Sequence, residues 1–420
     1  MILQRDKEIS VWGESDLPVC VSIDGITVSA DACDGKFLVK LPAHKAGGPY
    51  TLVIENANDS IAINDVYFGE VFLASGQSNM YMTLVETNQT LEECDKVVRI
   101  FTPDREWEYD RRQMDMCWAD ICMENKESIS AVASHFAINI AKNLDVPVGI
   151  LSCAQGASCV CSWVAPETAE SEYMFTKEVK GDSWAFTLPF NQNSFHYNQW
   201  LIHVAPYTIR GVIWYQGESD AVSIICDNYA RIFGLMVDDW RKLWNDPDLP
   251  FITVQLPTFC DGGLWPVIRD QQVKAMLEGH NIGMITIGDV GELNDIHPKD
   301  KITVGNRLAV YARGMIYGED IQYKSPLCES ATVADGVAVL KFSNAENGLY
   351  ETEPLAFTVI SKDGAEVAGN YEINGDTIRV WADGVEPCEV AFCYDASTPV
   401  HLYSSAGIPA SSFKIACKGE

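Results

Sequence analysis

Three short segments carry residue types that could do chemistry together: Ser75-Gly76-Gln77-Ser78-Asn79-Met80, Trp214-Tyr215-Gln216-Gly217-Glu218-Ser219-Asp220 and Asn294-Asp295-Ile296-His297-Pro298-Lys299. A serine hydroxyl attacks a carbonyl only if a base removes its proton and donors receive the charge that develops on the carbonyl oxygen. Ser78 is the candidate nucleophile. Of the seven histidines, His297 has the best context for a base, with a carboxylate two residues before it, Asp295, to fix the imidazole tautomer. The Gln216 amide could donate to an oxyanion, and Glu218 could order its loop by accepting backbone N–H groups. Each segment also has a plainer reading. Ser78 could be a helix N-cap, the Gln216 cluster a well-satisfied turn, and His297 a structural histidine. The second glycine of a Gly-x-Ser-x-Gly elbow is absent.

What must position these residues is an alternation of strands and helices. Val66 to Ala74 reads as a buried strand, as do Pro147 to Cys153, Gly211 to Tyr215, Phe251 to Leu256 and Ile282 to Ile287. Helical apolar spacing covers Ile129 to Leu144, Tyr229 to Trp244, Pro266 to Leu277 and Asp300 to Tyr317. This pattern predicts an α/β domain over residues 66–320 with a parallel sheet covered on both faces. In such sheets ligands bind beyond the carboxyl ends of the strands, where all three segments fall. Gly76 permits a sharp turn there, and a serine at the following helix start would expose its hydroxyl beside backbone N–H groups. Residues 1–65 and 321–420 are β-rich. Val19 to Ile23, Tyr50 to Ile54, Val337 to Phe342, Leu355 to Ile360 and Thr377 to Trp381 read as strands between turn signals such as Asp24-Gly25 and Asn374-Gly375. The two flanking segments are expected to pack together as one accessory, sandwich-like domain.

Composition limits the partners. The chain of 420 residues is 47% apolar and 21% charged, enough for a sizeable core in two or three domains. A formal net charge of −29 argues against nucleic acid or an anionic membrane as a partner. No apolar run approaches the roughly 20 residues that span a bilayer. The first residues hold no cationic stretch followed by an apolar one. The fourteen cysteines are scattered, with no Cys-x-x-Cys and no zinc spacing, and read as small buried hydrophobes in a reducing compartment. A cytoplasmic setting is therefore expected, a secreted form with its leader removed being the alternative.

Taken together in the order Ser, Gln, His, the three segments resemble the sialate O-acetylesterase-like branch of the SGNH (GDSL-type) hydrolases. The resemblance runs from Leu3-Gln4-Arg5-Asp6-Lys7 through Leu41 to Tyr50, Val146 to Ile150 and Asp239-Trp240-Arg241 to Ala406-Gly407-Ile408-Pro409. It implies a three-layer α/β/α catalytic domain and hydrolysis of acetyl esters on carbohydrates without metal or cofactor. Carried over by position, Ser78 is the nucleophile and His297 the base. The Ser78 N–H, Gly156 of Ala154-Gln155-Gly156-Ala157 and the Gln216 side chain form the oxyanion hole. The wider pattern puts Asp three residues before His, where this chain has Asn294. Asp295 is favoured as the residue that orients His297, since residues two apart in an extended segment share a side. A backbone carbonyl is the alternative. Gln77, Asn79 and Glu218 are expected to face substrate, as are Trp163, Trp265, Arg269 and Gln272 near strand ends, where aromatic faces suit pyranose rings. Acetylxylan or another acetylated polysaccharide is the alternative substrate, and a catalytically inactive sugar-binding protein the alternative of another class.

Overall fold

The computed structural model describes residues 1–103, 116–176, 183–221, 225–260 and 263–419. Its central sheet comprises β1 (Ser60–Gly76), β2 (Val98–Pro103), β3 (Met116–Asp120), β4 (Val148–Ala154), β5 (Gly211–Tyr215), β6 (Phe251–Gln255) and β7 (Ile282–Thr286). The spatial order is β7-β6-β5-β1-β4-β2-β3, parallel except for β3 at the edge. β1 is therefore the hinge of the topology. The chain builds β2, β3 and β4 on one side of it and then crosses to build β5, β6 and β7 on the other. The crevice at the carboxyl end of β1 is the place where such a sheet binds ligands.

Five helices matter here: α1 (Ser78–Tyr81), α2 (Ala131–Leu144), α3 (Tyr229–Trp244), α4 (Trp265–Glu278) and α5 (Lys301–Tyr317). α2 packs on α5, and α3 on α4. Phe72 of β1 meets Phe136 of α2, while Trp214 of β5 meets Phe233 and Trp240 of α3. Trp214 pairs in register with Ser75, an odd number of residues from Phe72, so the two contacts lie on opposite faces of the sheet. The result is the expected three-layer α/β/α arrangement, with both faces of β4, β5, β6 and β7 buried. Caps fix the helix starts: Ser130 accepts from the Ala133 N–H and Asp300 from the Thr303 N–H.

The boundary expected at 65/66 falls inside one strand. β1 begins in the N-terminal sheet, paired with Gly47–Glu55, and runs on into the central sheet. Asp65, at φ 59°, sits where the register with Gly47–Glu55 slips, so the boundary is a bulge rather than a linker. The two flanking β segments also have separate cores. The N-terminal one gathers Leu3, Val21, Val39 and Phe68, the C-terminal one Leu340, Val359, Val380 and Phe392. The expected common accessory domain is thereby corrected. The N-terminal segment is held to the central sheet by β1 itself and by buried Glu70, whose carboxylate accepts from Gln4, Arg5 and Arg210. The C-terminal segment forms an eight-stranded sheet from Phe413–Ala416 to Lys418–Gly419 and docks at the other end of the central sheet. There Gln255 donates to Ser411 Oγ at 2.8 Å and Thr286 Oγ1 to the Pro409 carbonyl at 2.8 Å. Of the cysteines, Cys153, Cys159, Cys161, Cys226 and Cys393 are buried, while Cys33, Cys117 and Cys260 are exposed.

Candidate functional site

Strand register assembles the site. Gly76, the last residue of β1, pairs with Ala154 at the end of β4 and with Tyr215 at the end of β5. The segments that follow, Gln77-Ser78, Gln155-Gly156 and Gln216-Gly217, must therefore emerge side by side. Backbone bonds continue the ladder past the strand ends, from the Gln155 N–H to the Gly76 carbonyl at 3.0 Å and from the Gln77 N–H to the Tyr215 carbonyl at 2.9 Å. Gly76 makes the turn at φ +133°, a conformation that side chains rarely adopt. Ser78 then opens α1, half-buried, with Gln77 in the N-cap position. The cap reading of Ser78 is excluded by this placement.

His297 reaches the same point from the loop between β7 and α5. Its Nε2 lies 2.8 Å from Ser78 Oγ. Burial holds the imidazole below the usual histidine range; of the charged groups around it, Asp295 and Glu86 oppose that shift while Lys301 and Lys299 add to it. Gly156 lies against the nucleophile, since a Cβ placed on it would sit 3.7 Å from Ser78 Cβ. Among the described residues, neither the Ser78 N–H nor the Gly156 N–H donates to a protein acceptor. The site thus presents a hydroxyl on an imidazole, flanked by two backbone donors with capacity to spare.

Other expected members are placed differently. Asp295 does not reach the imidazole as a hydrogen-bond acceptor. Its Oδ1 accepts from the His297 backbone N–H at 2.8 Å and stands 3.9 Å from Nδ1, too far for a hydrogen bond. That backbone bond is also the main reason its carboxyl is held below the ordinary aspartate range. The segment is a tight Asx turn rather than an extended stretch, so period-two reasoning fails there. Gln216 is wholly buried and its amide is spent elsewhere: Nε2 donates to the Ser158 carbonyl at 3.0 Å and to Asp220 at 2.6 Å, and Oε1 accepts from the Tyr229 hydroxyl. It is a strut of the turn and not an oxyanion donor.

The seven residues expected to face substrate are all buried. Trp163 packs among Trp200, Trp214 and Trp240. Trp265 donates to the Pro257 carbonyl. Arg269 donates to the carbonyls of Leu256, Pro257 and Asp395, fixing the C-terminal segment against α4. Gln272 satisfies the Leu256 N–H and the Gln216 carbonyl. Gln77 Oε1 accepts, at 3.3–3.4 Å, from the N–H groups of Gly217 and Ser219. The common cause is that strand ends in a three-layer fold leave backbone groups under cover, and polar side chains there must satisfy them. Asn79 and Glu218 belong to a buried network directly beneath Ser78. Asn79 Nδ2 donates to Glu218 Oε1 at 2.6 Å and to the Ile296 carbonyl at 3.0 Å, while Lys301 Nζ donates to Asn79 Oδ1 at 2.6 Å. The sequence reading missed Lys301. The one local hint is weak: a lysine in the first turn of a helix opposes the helix dipole.

Similarity to known proteins gives the family. Residues 68–313 match the family model described as carbohydrate esterase, sialic acid-specific acetylesterase. The chain belongs to that family. It is therefore a carboxylic ester hydrolase. It is 27% identical over 410 residues to sialate O-acetylesterase of Mus musculus, covering 78% of this chain and 74% of that protein. With sialate O-acetylesterase of Homo sapiens it shares 28% identity over 342 residues, covering 72% of this chain and 64% of the human protein. Among solved structures, a carbohydrate acetylesterase from Xanthomonas citri superimposes with a TM-score of 0.89 at 30% identity, covering 99% of this chain and 96% of that one.

Proposed function

We propose that this family member removes O-acetyl groups from sugars, sialic acids first among them, through an acetyl-enzyme on Ser78. The observation that carries the proposal is the 2.8 Å contact between His297 Nε2 and Ser78 Oγ, at the carboxyl end of β1. His297 takes the hydroxyl proton as Oγ bonds to the acetyl carbonyl carbon. The carbonyl oxygen takes up the negative charge and is received by the N–H groups of Ser78 and Gly156. The tetrahedral species collapses, the C–O bond to the sugar breaks, and His297 returns the proton to the departing sugar oxygen. Water then adds to the acetyl-enzyme by the same route, releasing acetate and restoring Ser78. The names of the mouse and human relatives favour sialic acid as the sugar.

The test is an acetate-release screen over O-acetylated sialic acids and acetylated xylo- and manno-oligosaccharides. Acetylated sialic acid is expected to give the highest kcat/KM. Release of acetate from none of these sugars would overturn the assignment. The same assay reads the base. A base works in its neutral form, and a lowered histidine pKa extends that form to lower pH. The acid limb of kcat/KM is thus expected below the ordinary histidine value of about 6.5.

Asp295 should contribute little. In Asp295→Asn the amide oxygen still accepts the His297 N–H, so kcat is expected to fall less than about tenfold, against the roughly 10⁴-fold seen when a carboxylate bonded to the imidazole is lost. A loss of about 10³-fold or more in steady-state kinetics would show that Asp295 closes onto Nδ1 during the reaction.

A further inference from the structure

We propose that Lys301 is a positioning residue for ester hydrolysis, acting through the Asn79 amide as a cross-brace that holds the nucleophile turn and the base loop in register. The inference rests on Ser78 and His297 being nucleophile and base. Asn79 directly follows Ser78, and Ile296, whose carbonyl it binds, directly precedes His297. One amide group therefore joins the chain neighbours of both reacting residues.

Charge at each end sets how that amide lies. Lys301 Nζ can only donate, so it selects Oδ1; the Glu218 carboxylate accepts and so selects Nδ2. An amide turned over would set Nδ2 against the Lys301 ammonium at one end and Oδ1 against the Glu218 carboxylate and the Ile296 carbonyl at the other. Lys301 and Asn79 are wholly buried and Glu218 nearly so, which makes each lost bond costly. The ammonium also stands over the Tyr215 ring, 5.5 Å from its centroid, on the last residue of β5. Among the described residues Glu218 Oε2 and the Tyr215 hydroxyl have no hydrogen-bond partner, so the Asn79 and Lys301 contacts carry the side-chain ends of this cluster. Burial brings Lys301 down to about 7, opposed by the Glu218 charge, and Glu218 up to about 7, opposed first by the Asn79 hydrogen bond, then by its own backbone N–H and by the Lys301 charge.

The second consequence is electrostatic. The charged groups around His297 are Asp295 and Lys299 on its own loop, Glu86 on the short helix Leu84–Thr87, and Lys301 at the start of α5. Lys301 disfavours the imidazolium. Its removal is therefore expected to raise the pH needed to free the base.

Three variants of the full chain test this: Lys301→Met, Asn79→Ala and the double. Each single variant is expected to lose about 10- to 100-fold in kcat with KM within about twofold, as a misplaced reacting pair does. The double is expected to lose no more than the worse single, because both break one brace. Only variants lacking Lys301 should move the acid limb of kcat/KM upward, by a few tenths of a pH unit. A single variant that keeps kcat within twofold overturns the proposal, as does additive loss in the double, or a stationary acid limb in Lys301→Met. If Lys301→Met does not fold, Asn79→Ala alone decides the kcat arm. Wild-type acetate release that persists in Ser78→Ala would instead sink the functional reading. Release that depends on Ser78 but is unaffected by Lys301→Met and Asn79→Ala sinks only this inference.

Discussion

Ser78→Ala is expected to lower kcat for acetyl-ester hydrolysis by about 10⁴-fold or more, with the fold intact. The hydroxyl is the only atom in the substitution that can bond to the acetyl carbon, and it lies 2.8 Å from His297 Nε2. His297→Ala should cost a similar factor, because a serine hydroxyl without a base is a poor nucleophile at neutral pH. Combining the two should cost little more than either alone, since each abolishes the same proton transfer. What survives in all three should be the small rate supplied by the Ser78 and Gly156 N–H groups and by binding. Neither substitution removes a core contact, for Ser78 is half-buried and the His297 side chain is 37% exposed. Melting temperatures should therefore stay close to wild type. Steady-state kinetics alongside thermal unfolding separate this outcome from simple loss of structure.

Gly76→Ala is expected to act through the fold instead. A Cβ at this position would stand 2.1 Å from the Tyr215 carbonyl oxygen, and the residue holds φ +133°. The obstacle is backbone of the adjacent central strand, locked into the β1–β5 ladder, and it cannot swing aside as a flexible side chain would. Strain from the backbone angle and from the overlap together should cost about 3–5 kcal/mol. Denaturant unfolding should show the loss as a lower midpoint. Activity should fall as well, because relief of the overlap moves Gln77 and Ser78 away from Gly156 and His297. A variant within about 1 kcal/mol of wild type would mean that the turn tolerates a different path.

Much of the frame was legible because it obeys local rules. Gly211–Tyr215, Tyr229–Trp244 and Thr377–Trp381 lie where the apolar runs end and the helical spacing breaks. β2 and β3 were not read, and for physical reasons. Val98–Pro103 carries Arg99 and ends in proline, and Met116–Asp120 is an antiparallel edge strand. Ser78 and His297 stood out because each follows a strand whose end the topology brings to one edge, whereas Gly156 came only with the family resemblance; the structure sets the three side by side. Gln216, Asp295 and the supposed substrate-facing residues were misread for a shared reason. A sequence gives the donor or acceptor but not its partner, and buried backbone groups claimed these side chains first. Lys301 was missed because a lysine at a helix start reads as surface. Its burial follows only from Asn79 and Glu218, which are more than 80 residues away in the chain.

In this mechanism Ser78 carries the acetyl group between the two half-reactions. The most direct test is to quench the enzyme during turnover of an acetyl ester and locate the added acetyl by peptide mass spectrometry. A transient acetyl is expected on the peptide containing Ser78, absent from Ser78→Ala and failing to build up in His297→Ala. An acetyl found on another residue, or ester hydrolysis at the wild-type rate in Ser78→Ala, would contradict it.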